Sequence, residues 1–425
     1  MNKVRYGFFR LCFIFLILTT ASGAMTIEFE VGTWGNFCQG AFTYTFDDNT
    51  VNQTKVAQPL FDAKGFHMTL FTVTGSSQFP VSWDNLKNAF ASGHEIASHS
   101  VTHQVPMSAS ELAPSQKNIR DSVPGERGVT LAYPNCSYIT ESEVRKYYIA
   151  ARVCDGKIVD STPSNFYQIS SFLSGVGNLS GASAFNAKAD EATSKHGWCV
   201  LCNHGVGKGD YHSYTEIADI EGNLDYLDKN RSRIWVESFG NVVRYIKERN
   251  AVKITVKSSS DAGVTIQMTD NLDDSIFNYP LSVRCELPGG WQTAVVQQGG
   301  NDAEDTIVTV NSKKYILFKA VPDGGDIEIS SNPTGTCHRS FGMNFHAPSF
   351  VARGGTTLVI NPQRFFGPVH IVALFNLQGK KLAWYGVNAG ASRIVLPIDH
   401  FYHSVILVKI ISSNSSYCTS LALQP

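Results

Sequence analysis

Short apolar segments alternate with helix-like segments between residues 40 and 250, and this alternation constrains the fold more than any other feature of the sequence. Each apolar segment is rich in β-forming residues and is followed by a stretch whose apolar residues recur with helical spacing. The paired segments are 41–46 with 54–63, 67–73 with 84–92, 130–133 with 141–151, and 199–201 with 215–229. Strands that alternate with helices predict an α/β fold built around a parallel sheet, and we expect a barrel.

The sequence changes character after residue 250. Alternating strand-like segments broken by Asp-, Gly- and Pro-rich turns predict a β-sandwich over 251–331, followed by a turn-rich linker over 332–350. The tail, residues 351–425, again has the pattern of strands. We therefore expect an α/β domain at 25–250 and all-β modules after it.

The charge balance of the chain argues against several kinds of partner. Lys and Arg number 35 and Asp and Glu number 36, which gives a net charge of −1. Nucleic-acid binding and binding to an anionic membrane surface both need a basic patch, which this composition does not favour. A hydrophobic content of 43% with 17% charged residues also excludes a disordered chain. An uncharged partner agrees better with this net charge than a nucleic acid or an anionic membrane does.

The first 24 residues predict a secretory signal peptide. Lys3, Arg5 and Arg10 precede the apolar run 11–18, and small residues end at Ala24, where we expect cleavage. The apolar run is shorter than the roughly 20 residues of a membrane-spanning helix, and no later segment is long enough. Removal of Cys12 with the leader would leave eight of the nine cysteines in an oxidising compartment, which favours disulfides. The sequence does not determine their pairing.

Two acidic residues and two histidines form the pattern that carries chemistry. Asp47 and Asp48 end the first apolar segment, at the edge of a parallel sheet where reacting groups gather. His99 and His103 are four residues apart, a spacing that predicts one helical turn with both imidazoles on the same side. A carboxylate with two imidazoles makes an open metal site, and a non-haem iron centre is an alternative reading.

The same residues stand in four ordered motifs. These are T-F-D-D at 45–48, H-S-x-x-H at 99–103 preceded by G-H-E-I at 93–96, L-A-Y-P at 131–134, and V-L-C-N-H at 200–204. Together they resemble the polysaccharide deacetylases of carbohydrate esterase family 4, also called the NodB homology domain. The resemblance covers about residues 40–250 and implies a distorted (β/α) barrel.

The resemblance implies a role for each motif. Asp48, His99 and His103 would hold one divalent metal ion, zinc in most members, with cobalt or nickel as alternatives. Asp47 would be the general base and His204 the general acid. The third motif, around Tyr133 and Pro134, would contribute a backbone N–H to the oxyanion, for which Tyr133 is our candidate. The substrate would be an acetylated polysaccharide or oligosaccharide, with the acetyl group on oxygen, as in xylan, or on nitrogen, as in chitin or peptidoglycan.

The sequence also departs from the family pattern. Many members have an Arg where this chain has Ala132, and Arg152 is a candidate replacement, with an exposed surface charge as the alternative reading. Asn135 and Cys136 replace the family's Tyr-Gly. Trp198 is a candidate for stacking on sugar, with burial as its alternative.

Two hypotheses of function therefore remain from the sequence. The first is a secreted deacetylase, and the second is a barrel that binds carbohydrate with weak or no catalysis, motivated by the missing motif-three Arg. The two C-terminal β-regions contain no catalytic motif. The tail, through its segment 372–381, resembles the C-terminal sorting modules of some proteins exported by Gram-negative bacteria, and carbohydrate binding is the alternative role.

Overall fold

The structure is a computed structural model that describes residues 27–331, except 289 and 292, and six strands between residues 357 and 422. The expected signal peptide, 1–24, and the expected linker, 332–350, lie outside the described residues.

The α/β domain follows a first strand, β1 (Phe29–Val31). Its strands are β2 (Gly40–Asp47), β3 (Thr69–Thr72), β4 (Glu95–Ser98), β5 (Thr130–Ala132), β6 (Ala150–Arg152), β7 (Phe172–Leu173), β8 (Trp198–Asn203), β9 (Gly205–Val206), β10 (Tyr214–Thr215) and β11 (Ile234–Val236). Its helices are α1 (Gln58–Lys64), α2 (Trp83–Ala91), α3 (Leu112–Ser122), α4 (Glu141–Val144), α5 (Ala182–Ser194), α6 (Ile217–Lys229) and α7 (Phe239–Ala251).

The main sheet of this domain is parallel and curls into a distorted barrel. Its strand order is β6-β5-β4-β3-β2-β8-β7, and β11 also pairs with β2. Ile169 pairs in parallel with Arg152 of β6, and β7 pairs in parallel with β8, so the stretch 169–173 joins the two ends of the sheet. The expected α/β barrel is confirmed.

The central strand β2 brings two carboxylates to the carboxyl edge of the barrel. All eight of its residues are buried, as expected for a parallel strand covered on both faces. On one face the ring of Tyr44 packs edge-on against Phe61 and Phe185, at centroid distances of 5.1 and 6.4 Å. This packing fixes the strand, and therefore the position of Asp47 at its end.

Residues 253–331 form a β-sandwich, as the sequence predicts. Its strands are β12 (Lys253–Ser260), β13 (Gly263–Thr269), β14 (Leu281–Glu286), β15 (Ala294–Gln298), β16 (Asn301–Asp302), β17 (Asp305–Val310), β18 (Lys313–Ala320) and β19 (Ile327–Ser331). One sheet has the order β12-β13-β19-β15-β16 and the other β1-β14-β18-β17. Strand β1 thus lies in the sandwich, although it precedes the barrel in the chain and falls within the segment 25–250 that we assigned to the α/β domain.

Helix α7 joins the barrel to the sandwich. The Tyr245 hydroxyl donates to the carbonyl of Gly32 at 2.7 Å, and the rings of Trp235 and Tyr279 lie 4.9 and 6.4 Å from the Tyr245 ring. The buried carboxyl group of Glu248 accepts the backbone N–H of Tyr279 at 3.0 Å. The two domains therefore share one continuous core at this helix.

The tail consists of strands, as expected. They are β20 (Thr357–Ile360), β21 (Val369–Phe375), β22 (Lys381–Gly386), β23 (Ile394–Pro397), β24 (Val405–Ser412) and β25 (Ser416–Ala422). Strands β22-β21-β24-β25 form one sheet, and β20 pairs with β23. Within the described part of the chain, no helix is both long enough and apolar enough to span a bilayer.

One disulfide joins two loops at the carboxyl edge of the barrel. It links Cys136, just after β5, to Cys154, just after β6, with the two Cα atoms 5.7 Å apart. Four other cysteines of the described segment are free and buried: Cys38, Cys199, Cys202 and Cys285.

Candidate active site

The three expected metal ligands converge at the carboxyl edge of the barrel. Asp48 directly follows β2, His99 directly follows β4, and His103 lies in the loop after β4. The Oδ1 atom of Asp48 lies 3.5 Å from Nε2 of His99 and 3.4 Å from Nε2 of His103. Ligand atoms of all three residues lie within 4.8 Å of one another. This grouping matches the ligand set that the family resemblance implies.

The local structure around the histidines is a loop, so the expected helical turn was wrong. Ser100 and His103 have left-handed backbones, with φ of 65° and 60°, which no helical turn allows. The Ser100 hydroxyl accepts the backbone N–H of His103 at 2.9 Å. One carboxylate oxygen of Glu111 accepts the N–H groups of Val101 and Thr102, at 2.9 and 2.7 Å. These bonds hold both imidazoles in place without a helix.

The orientation of His99 is set by a backbone carbonyl. Its Nδ1 lies 2.8 Å from the carbonyl oxygen of Ala132 in β5. Because a carbonyl can only accept, Nδ1 must carry the proton, and the lone pair on Nε2 is left for a metal. Burial lowers the pKa of His99, although the charges of Asp47 and Asp48 partly offset this effect. A neutral imidazole is the form that binds a cation.

The Asp48 carboxylate gives a direct test of whether the residues fit a cation. Its Oδ1 is buried and lacks any hydrogen-bond partner among the described residues. The nearest groups are the Nε2 atoms of the two imidazoles, and on His99 that atom presents a lone pair. A buried anionic oxygen with no donor is costly, and a divalent cation bound between the three residues would remove the cost. The donor set of one carboxylate and two imidazoles therefore fits a divalent metal.

Asp47 is paired with the buried guanidinium of Arg152. Nη2 of Arg152 donates to Oδ2 of Asp47 at 2.5 Å, and the two side chains are 0% and 4% exposed. Burial by itself would raise the pKa of Asp47, but the charge of Arg152, followed by those of His99 and His204, outweighs it and lowers this pKa. The other oxygen, Oδ1, is buried without a partner. Asp47 is thus an ionised carboxylate with one oxygen free.

Arg152 lies opposite Ala132, the position at which many family members have an Arg. In the pairing of β5 with β6, Arg152 lies directly across from Ala132. Side chains at paired positions of neighbouring strands point to the same face of a sheet. The alternative reading of Arg152 as an exposed surface charge was wrong, since its side chain is fully buried and also donates to Thr45 Oγ1 at 3.1 Å.

His204 approaches the second oxygen of the Asp48 carboxylate. Its Nε2 is 3.9 Å from Oδ2 of Asp48, and its side chain is 20% exposed. Burial lowers its pKa, against the raising effect of Asp47 and Asp48. The imidazole stacks on the ring of Tyr211 at 6.0 Å, with 10° between the planes. His204 is therefore the least buried of the three site imidazoles, and a substrate can reach it.

The third motif differs from our expectation for Tyr133. Its N–H is directed at the carbonyl of Arg152, 3.3 Å away, and so belongs to the pairing of β5 with β6. Pro134 is buried and has no N–H, so the first free donor along the loop can only be Asn135. Among the described residues, the Asn135 N–H has no acceptor in hydrogen-bond reach. The assignment of the oxyanion donor to Tyr133 is therefore corrected.

Trp198 is not at the site, so its candidacy for sugar stacking was wrong. It begins β8, at the opposite end of the strand from His204, and pairs in register with Ala41. Its ring is fully buried, and its indole N–H donates to Thr43 Oγ1 at 2.9 Å.

The sequence analysis assigned no role at the site to two residues near Asp47. The side-chain amide of Gln53 donates to the carbonyl of Asp47 at 2.5 Å and to that of His204 at 3.0 Å, which ties two site segments together. The Cys202 thiol lies 3.6 Å from Asp47 Oδ2. Asp47, Cys202 and His204 could also hold a cation by distance, but the guanidinium of Arg152 already neutralises Asp47 there.

Comparison with known proteins adds three kinds of likeness. Residues 35–147 match a family model described as polysaccharide deacetylase. A gellan lyase from Bacillus sp is 32% identical over 330 residues, which cover 71% of this chain, but the chain spans only 13% of that protein's length.

Solved structures with a similar fold have low identity. The Xyl-CE4 domain of a multidomain xylanase from the hindgut metagenome of Trinervitermes trinervoides is 18% identical, with a TM-score of 0.34, over 48% of this chain and 89% of that one. A putative polysaccharide deacetylase from Mycobacterium smegmatis is 11% identical, with a TM-score of 0.39, over 54% of this chain and 96% of that one.

The matched segment contains three of the four motifs, including Asp47, all three expected ligands and Pro134, whereas Arg152 and His204 lie beyond it. Metal-dependent hydrolases make up the family. Residues 35–147 of this chain thus match the polysaccharide deacetylase family, as the motifs predict.

Proposed function

We propose that this chain is a secreted, metal-dependent carbohydrate deacetylase that hydrolyses acetyl groups of a polysaccharide or oligosaccharide. The observation that carries the proposal is the group of Asp48, His99 and His103, in which a buried carboxylate oxygen lies between two imidazoles without a donor. A divalent cation held there, zinc by family resemblance, would lower the pKa of a water molecule and polarise the acetyl carbonyl.

The chain's own residues supply the proton transfers. Asp47 has one oxygen bound to Arg152 and the other without a partner, so Oδ1 can accept a proton from the attacking water. The N–H of Asn135 is our candidate donor to the developing oxyanion. His204, on the exposed side of the site, would protonate the departing sugar oxygen or nitrogen. A lowered pKa makes its protonated form a stronger acid, although a smaller fraction carries the proton.

A carbohydrate-binding protein without catalysis is the less favoured alternative. That hypothesis rested on the missing motif-three Arg, and Arg152 provides a guanidinium to Asp47 from the neighbouring strand. The pairing of Arg152 with Asp47 supports the role of Asp47 as the general base.

The test combines metal analysis with acetate release. Purified protein should contain about one equivalent of a divalent metal. It should also release acetate from acetylxylan, chitin oligomers or peptidoglycan. The preferred substrate would show whether the acetyl group is on oxygen or nitrogen. The Asp47→Asn variant keeps the shape of the side chain and should retain metal while losing about 10²-fold or more in turnover. Protein that binds no metal and releases no acetate would favour the binding role, and iron with oxygen consumption would exclude the deacetylase.

Export is part of the proposal and rests on the first 24 residues. The amino-terminal sequence of protein recovered from the culture medium should begin at Met25. Protein that retains the leader would contradict it.

A further inference from the structure

Exposed apolar side chains of the described segment are concentrated on the face of the barrel that carries the site. The most exposed of the large ones is Tyr138, at 60%, in the loop after β5. Others lie at or after the carboxyl ends of β2, β4 and β7; they are Val51, Val105, Leu173 and Val176. Val256, on the sandwich, is the exception. Apolar surface exposed around a site is available for contact with a ligand.

The loop that carries Tyr138 starts beside the metal ligands. The carbonyl of Ala132, which orients His99, is six residues before Tyr138 in the chain. The Tyr138 ring packs against Tyr133 at 6.4 Å with 62° between the planes. Tyr133 is itself buried, and its hydroxyl donates to the carbonyl of Tyr167 at 3.1 Å. Tyr138 thus packs on a buried ring and remains exposed to solvent.

Several constraints hold this loop in one conformation. Asn135 and Cys136 both have left-handed backbones, with φ of 48° and 56°. The N–H groups of Cys136 and Ser137 donate to the carbonyls of Tyr133 and Pro134, at 2.9 and 3.0 Å. The disulfide from Cys136 to Cys154 ties the loop to the end of β6, two residues after Arg152. A loop fixed in this way loses little conformational entropy when a ligand binds.

The chemistry of the loop favours a sugar as the ligand. Residues 133–140 contain no charged side chain, and an aromatic ring with a polar tip is suited to the C–H face and hydroxyl groups of a pyranose. We propose that Tyr138 is a stacking platform for a sugar unit next to the acetylated one, and that the disulfide between Cys136 and Cys154 holds the platform in place. This inference rests on the proposed deacetylase function, and it adds a determinant of polymer specificity outside the four motifs.

The test compares a polymer with a substrate too small to reach the platform. The Tyr138→Ala variant should raise KM for acetylxylan or a chitin hexamer by about 3- to 10-fold, as expected for loss of one aromatic contact. Its kcat on these substrates and its kinetics on 4-nitrophenyl acetate should be unchanged. Tyr138→Phe keeps the ring and should stay within about twofold of the parent. Val256→Ala, which removes exposed apolar surface from the sandwich, is the matched control and should leave the kinetics on both substrates unchanged.

The disulfide is tested by the double variant Cys136→Ser, Cys154→Ser. Because the same loop carries Asn135, some loss on the aryl acetate is expected too. A larger loss on the polymer than on the aryl acetate supports the proposed role, whereas an equal loss on both or full polymer activity would overturn that part of it. An equal loss on both substrates in Tyr138→Ala, or no loss on the polymer, would overturn the platform.

Failure of the proposed function can be told apart from failure of the platform. If the parent protein releases no acetate, the deacetylase proposal fails. Retardation of the parent and of Tyr138→Ala in gels containing acetylxylan then still tests the platform, because weaker retardation of the variant supports it and equal retardation overturns it.

Discussion

The buried pair of Asp47 and Arg152 gives the sharpest prediction on stability. The Arg152→Met variant keeps most of the apolar stem but removes the charge, and it leaves the Asp47 carboxylate buried with no cation beside it. Both side chains are less than 5% exposed, so solvent cannot compensate. Removal of one partner of such a pair costs about 3–5 kcal/mol of unfolding free energy. For a domain of this size we expect the melting temperature to fall by about 6–20 °C.

A double-mutant cycle separates the pair from other effects of the substitution. Asp47→Asn alone leaves a buried guanidinium, whereas the double variant with Arg152→Met removes both charges. We expect the double variant to be more stable than Arg152→Met, since neither charge is then left buried without its partner. Unfolding by denaturant in the presence of a chelator is the appropriate assay, because bound metal would stabilise the variants unequally. An Arg152→Met variant within about 1 kcal/mol of the parent would refute the ion-pair argument.

The same pair can be tested through activity. Without Arg152 the largest remaining effect on the pKa of Asp47 is burial, which raises it, so the acidic limb of kcat/KM should move to higher pH. Because Ala132 lies directly across from Arg152, an Ala132→Arg substitution in the Arg152→Ala background should restore part of the activity. No recovery in a folded double variant would argue that Arg152 has a role other than pairing with Asp47.

Three further predictions concern the ligands, the general acid and the helix between the domains. Single alanine substitutions of Asp48, His99 or His103 should remove bound metal and activity together, and stoichiometric metal in any of them would contradict the assignment. His204→Ala should lose far more activity on a sugar acetate than on an aryl acetate, whose phenolate leaves without a proton, and a uniform loss would indicate a structural role. Burial raises the pKa of Glu248 to about 8, so between about pH 4.3 and pH 8 the folded protein holds a proton that the unfolded chain has released, and stability falls as pH rises through this range. Glu248→Gln should flatten this part of the profile of denaturation midpoint against pH, and an unchanged slope would show that Glu248 does not titrate there.

The sequence predicts those features of the molecule that depend on local pattern. Alternating apolar and helical segments suffice for the parallel barrel, and period-two strands suffice for the sandwich, because burial imposes these patterns directly. The spacing of His99 and His103 was misleading since a loop with left-handed residues can bring the same two side chains together as a helical turn. The contact of Arg152 with Asp47 depends on the register of β5 and β6, and the role of the Ala132 carbonyl depends on backbone geometry. The sequence therefore offers Arg152 only as a candidate, and it does not show which carboxylate its side chain contacts or which carbonyl orients His99.

The position of β1 has a consequence for how the chain folds. β1 is synthesised before the barrel, but its partner β14 follows the barrel, and Glu30 meets Arg284 across 254 residues of sequence. The whole α/β domain is therefore a loop whose two ends are closed by one pair of strands. Closing so long a loop costs entropy that only the finished sandwich can offset. We expect the barrel to form first and β1 to dock last, so the sandwich sheet becomes complete only after the domain inserted within it has folded.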